Sequence, residues 1–202
     1  MAKSDNQASK VKTLAKAHGV LRPKDLAARG IPRAVLGRLC AKGELTRTGR
    51  GLYMLSAGNM TENHSFAEVA RQVPHGVICL LSALRFHELT TQLPGEVWLA
   101  IGNHARRPKG AAVSIRPVHF SGAALTEGVE VHKIEKVNVQ IFSAAKTVAD
   151  CFKHRNKIGI DVAMEALREC WRERKATSDE LWRFAKICRV SKVMQPYMEA
   201  IV

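Results

Sequence analysis

Proline and glycine cut the first 58 residues into short pieces, and this punctuation limits the folds available more than any other feature of the chain. Residues 7–18 carry Val11, Leu14, Ala15 and Ala17 at helical spacing, and His18-Gly19 supplies a stop. Pro23 is placed for the first turn of a second helix, which runs to Arg29 and is closed by Gly30. Pro32 opens a third helix through Lys42, with Val35, Leu36, Leu39 and Cys40 as its inner face and Gly43 as its stop. Residues 45–48 and 52–55 then read as strands around Gly49-Arg50-Gly51. Short helices joined by a glycine-containing turn and followed by a hairpin form a winged helix-turn-helix.

Charge says what such a module would meet. The 202 residues hold 32 Lys and Arg against 18 Asp and Glu, a net of +14. Twelve of the basic and three of the acidic side chains fall in residues 1–58, so +9 sits in the smaller part and only +5 in the remaining 144 residues. A basic module on a nearly balanced body points to a polyanionic partner for the module and a different task for the body. A hydrophobic share of 46% and a charged share of 25% fit a folded globular chain. No apolar run approaches the roughly 18 residues of a membrane span, and the polar, basic start does not read as a secretory signal, so a cytoplasmic protein is expected. The five cysteines, Cys40, Cys79, Cys151, Cys170 and Cys188, are odd in number and widely spaced, which argues against a disulfide framework and a zinc site.

The small residues Ser56-Ala57-Gly58-Asn59 mark the expected boundary, giving a DNA-binding domain over 1–58 and a body over 59–202. In the body, residues 66–73 and 82–89 read as helices flanking Val77-Ile78-Cys79. Strand-like segments follow at 97–101, 113–118, 129–133 and 137–142. Helical periodicity takes over from Ser143, through 160–171 and 178–189 to 193–201, and Thr177 with Glu180 is a capping-box signature. The fold class is therefore α+β: a winged helix-turn-helix, then a mixed body with strands mid-chain and helices at both ends.

A recognition helix in the major groove must carry donors outward. With Val35 and Leu39 turned in, the groove-facing set is Arg33, Ala34, Gly37, Arg38 and Ala41, and Arg33 and Arg38 are the base-reading candidates. Gly37 costs the helix about 1 kcal/mol relative to alanine, and is explained either by close approach of backbone to DNA or by packing against a neighbour. Arg22, at the expected N-cap of the second helix, and Lys24 would share a DNA phosphate with the free amides there. Arg47 and Arg50 on the wing have the reach for phosphates or a minor groove.

A second basic group, His104 to Lys109, lies between two strand-like segments. A solvated hairpin loop is one account; a secondary nucleic-acid contact through Arg106, Arg107 and Lys109 is the other. Catalytic signals are poor: no phosphate loop, nucleophile elbow or His-Glu-x-x-His pair is present. Glu165 and Glu169 suit a solvated helix face. Cys151 with His154 lacks a third orienting group, and Trp98, Trp171 and Trp182 suit core or interface anchors. No cofactor and no metal are expected. An enzyme acting on nucleic acid and delivered by the winged helix is the competing class.

Leu14 to Leu21, Asp25-Leu26, Gly30-Ile31-Pro32 and the run from Leu45 to Tyr53 resemble the winged-helix domain of AbiEi-type antitoxins of type IV toxin-antitoxin (abortive infection) systems. Arg50-Gly51-Leu52-Tyr53 is the most telling step. Leu81-Ser82-Ala83-Leu84, His87, Val97-Trp98-Leu99 and Lys146 to Asp150 extend the likeness over about residues 10–170. The resemblance implies a bacterial, phage-defence antitoxin that represses its own operon by binding inverted repeats in the promoter. It also implies a nucleotidyltransferase-like toxin as functional partner, opposed without a stable complex. Arg33, Arg38, Arg47 and Arg50 take the family's DNA-contact positions. The family often has Ser or Thr in place of Arg22 and a further basic residue in place of Gly37.

Overall fold

A computed structural model describes residues 2–56, 62–106, 108 and 113–201. The chain divides into two compact units, Met1–Pro74 with Pro108–Ser114 and Lys133–Val139, and His75–Arg107 with Ile115–His132 and Gln140–Val202. Of the expected boundary at 56–59, only Ser56 lies among the described residues.

The first unit opens with α1 (Ala2–His18), α2 (Pro23–Ala27) and α3 (Ala34–Ala41), followed by β1 (Leu45–Gly49) and β2 (Leu52–Leu55). Each helix stops where left-handed backbone sits: Gly19, Gly30 and Gly43 have φ of 69°, 64° and 68°. The third helix begins two residues later than Pro32, because its entry turn is closed by tighter bonds, Val35 N–H to the Pro32 carbonyl and Leu36 N–H to that of Arg33. Antiparallel β1 and β2 pair Leu45 with Leu55 and Arg47 with Tyr53. Leu21 adds a third edge, exchanging two backbone bonds with Tyr53 at 2.7 and 3.0 Å. Val11, Leu26, Val35, Leu36, Leu39, Leu45 and Tyr53 form the core of this winged helix-turn-helix.

Next come α4 (His64–Gln72), β3 (Val77–Ile78), α5 (Leu80–Phe86), β4 (Val97–Gly102), β5 (Ile115–Phe120), α6 (Ala123–Thr126), β6 (Val129–Ile134) and β7 (Val137–Phe142). The helical end comprises α7 (Ala144–Lys153), α8 (Arg155–Ile158), α9 (Ile160–Arg172), α10 (Ser178–Ile187) and α11 (Ser191–Ile201). The five strands run β5-β4-β3-β7-β6 across the sheet. Pro117 is tolerated because β5 is an edge strand. The segment between β4 and β5 is not the hairpin expected from sequence: the strands are parallel, with Val97 opposite Ile115 and Gly102 opposite Phe120. Parallel neighbours cannot be joined by a tight turn and need a connection of about a dozen residues or more.

In the second unit α7 is buried along nearly its whole length and packs against α5, α9 and α10. Ser143 caps it by accepting from the Lys146 N–H, and Thr177 and Glu180 form the expected capping box at α10. Inside this core Lys146 and Asp150, both fully buried, pair at 2.5 Å. The ammonium lies 4.0 Å from the Phe142 ring centroid, and the Cys188 thiol donates to Asp150 at 3.2 Å.

Candidate nucleic-acid interface

On α3 and its N-cap Arg33, Val35, Leu36 and Leu39 are buried, while Arg33, Ala34, Gly37, Arg38 and Ala41 are exposed, the outward set expected from the sequence. At about 100° per residue, these five cover roughly 140° of the helix in the order Arg33, Gly37, Ala41, Ala34, Arg38. Two arginines therefore rim a strip of residues with one side-chain carbon or none. A strip this low lets the helix backbone approach a groove floor, with a guanidinium on either side.

The surroundings of Gly37 bear on the packing explanation. A Cβ placed there would meet no atom within 4 Å, so the glycine is not kept to accommodate a neighbouring element. Its φ is not positive either. Within the described residues, nothing offsets its cost to the helix.

The wing presents Arg47 and Arg50 at exposed positions. The Arg47 Nε donates to the Gly49 carbonyl at 3.1 Å, which stiffens the turn. Gly51, at φ 76°, lets the strands reverse. Lys24 is exposed on α2. The two carboxylates of residues 6–56 are both engaged: Glu44 with Lys12 at 2.7 Å and Asp25 with Arg71 at 2.6 Å. The Lys12 ammonium holds the Glu44 carboxyl below its ordinary range.

Arg22 is placed differently from the expectation. It is the N-cap of α2, but its backbone N–H donates to Asp25 Oδ2 at 2.8 Å and its Nη1 donates to the Arg71 carbonyl at 2.5 Å. The cation at this helix start is thus offset by Asp25 and a carbonyl of α4, a partner 49 positions away that no local pattern could indicate. Arg106 is exposed, whereas Arg107 and Lys109 lie outside the described residues.

The Cys151–His154 pair is poorly placed for nucleophilic chemistry. Cys151 is fully buried, and burial raises its thiol well above the ordinary range. Burial and the nearby Lys157 and Lys153 push His154 down to about 4. All five cysteines are free, four of them buried. Among the described residues no group of three or more His, Cys, Asp or Glu could hold a metal ion, and no helix is long and apolar enough to cross a membrane.

No curated protein matches this chain. Residues 9–56, which carry most of α1, all of α2 and α3, and the wing, match the family model of the transcriptional regulator AbiEi antitoxin, the family that the sequence resembles.

Proposed function

We propose that the chain is an antitoxin that represses its own operon, binding inverted repeats in promoter DNA through α3 and the wing. Arg33 and Arg38 read base edges, and Lys24, Arg47 and Arg50 hold the backbone. The observation that carries this reading is the exposed face of α3, a low strip of Ala34, Gly37 and Ala41 between two arginines. An arginine fork bonds both acceptors of a guanine edge, which gives the face its means of discrimination. The match of residues 9–56 to a transcriptional-regulator family supports the same role. The partner would be a nucleotidyltransferase-like toxin in the cytoplasm, opposed without a stable complex and without an enzymatic step by this chain.

A gel shift with the promoter repeat and a scrambled duplex tests the assignment. Arg38→Ala should cost about 1–3 kcal/mol of discrimination per half-site, whereas Arg50→Ala should weaken binding to both duplexes alike. Wild-type affinity in both variants would overturn it.

A further inference from the structure

Within the first unit, a pocket of about 430 Å³ is lined by Arg22, Arg71, Lys133 and Lys136, with Ala70 and Val137 among its other walls. We infer that this pocket binds the phosphate monoester of a small, nucleotide-sized ligand. The inference does not rest on the DNA-binding reading, since none of the exposed groove-facing arginines lines the pocket.

Charge around the cavity is unbalanced. Four cations line the cavity, and the carboxylate bonded into the group is Asp25, already shared between Arg71 Nη2 and the Arg22 backbone N–H. Arg22 and Arg71 stand against each other, because Arg22 Nη1 donates to the Arg71 carbonyl and Arg71 Nη2 also donates to the Val20 carbonyl. Burial lowers the Arg71 pKa, and the nearby Arg22 charge lowers it further while Asp25 opposes the shift. Two guanidinium groups are thus held together by surrounding acceptors against their own repulsion.

Donors are also in excess. Arg22 Nε and Arg71 Nε are buried without a hydrogen-bond partner among the described residues. An unmade bond of this kind costs more when the group is charged, so each fork, though bonded at a terminal nitrogen, keeps one buried donor in need of an acceptor. Lys133 and Lys136 bring exposed ammonium groups from the β6–β7 hairpin, and Lys136 also donates to the Lys16 carbonyl. The local sum of four cations and one carboxylate is +3.

A phosphate monoester carries about −1.5 to −2 near neutral pH and offers three acceptor oxygens, whereas a diester within nucleic acid carries a single charge. Paired arginines with lysines around a concave wall therefore favour the monoester. The volume exceeds that of one phosphate and falls in the range of small-ligand pockets, so part of the attached molecule enters as well.

Calorimetric titration of the full chain, in buffer free of phosphate and at fixed ionic strength, tests the inference. Adenosine monophosphate should bind one per chain with a Kd below about 1 mM, inorganic phosphate should compete with it, and adenosine should not bind. Arg22→Gln and Lys133→Gln should each weaken binding about tenfold. Lys133 is exposed, so its variant keeps the fold and remains a fair test if Arg22→Gln does not. Absence of saturable binding by the nucleotide, affinity unchanged in Lys133→Gln, or a short duplex displacing the nucleotide at equal concentration would each overturn the assignment. Gel shifts with the promoter repeat report separately on α3, so failure of one reading is distinguishable from failure of the other.

Discussion

At the scale of single residues, the informative positions carry a local cost that no neighbour repays. Gly37 lies inside a helix with open space around it, and its cost there has no intramolecular compensation. Gly37→Ala should therefore stabilise the first unit by about 0.5–1 kcal/mol, seen in chemical denaturation followed by circular dichroism. The same change should weaken operator binding in a gel shift, because a methyl group would stand in the strip between Arg33 and Arg38. A stabilised variant with undiminished affinity would show that the backbone does not approach DNA there. Arg22 teaches the complementary point. Its residue type and N-cap position are readable from sequence, yet the direction of its guanidinium is set by Arg71, and only folding brings the two together.

At the scale of elements, the β6–β7 hairpin and α7 show how polar groups are spent on conformation. The two residues of the hairpin turn, Glu135 and Lys136, have φ of 47° and 67°, an arrangement that tight hairpins require and that side chains other than Gly or Asn adopt at a cost. Contacts repay it: Glu135 Oε2 lies 2.7 Å from His64 Nδ1, and Lys136 bonds the carbonyl of Lys16 at the end of α1. Gly19 is obligatory beneath this turn, since a Cβ there would lie 1.9 Å from the Glu135 carbonyl oxygen. In α7 the buried Lys146–Asp150 pair should reveal itself through asymmetry. Removing one partner strands the other charge, so Asp150→Ala should cost about 3–5 kcal/mol, whereas Lys146→Met with Asp150→Leu should be nearly neutral. Trp98, Trp171 and Trp182 all lie in the second unit, so their fluorescence during urea unfolding reports this difference without interference from the first.

At the scale of the whole molecule, the net +14 acts as a field. If α3 and the wing engage about six phosphates, affinity for promoter DNA should fall about a thousandfold between roughly 50 and 200 mM salt, through release of condensed counterions. Binding measured across that range by fluorescence anisotropy checks it, and a flat response would exclude the charged module as the source of affinity. What the sequence determined by itself was whatever depends on neighbours along the chain. The helix stops at Gly19, Gly30 and Gly43, the outward face of α3, the hairpin of the wing and the Thr177–Glu180 cap are all set by residues within a turn or two of one another. The tertiary structure decided what depends on partners far away in the chain: the parallel pairing of β4 with β5, the engagement of Arg22 by Arg71, and the four cations around one pocket. Spacing along a chain fixes which side of an element a residue occupies. It does not fix which element will face that side, because that choice is made by burial and pairing summed over the whole fold.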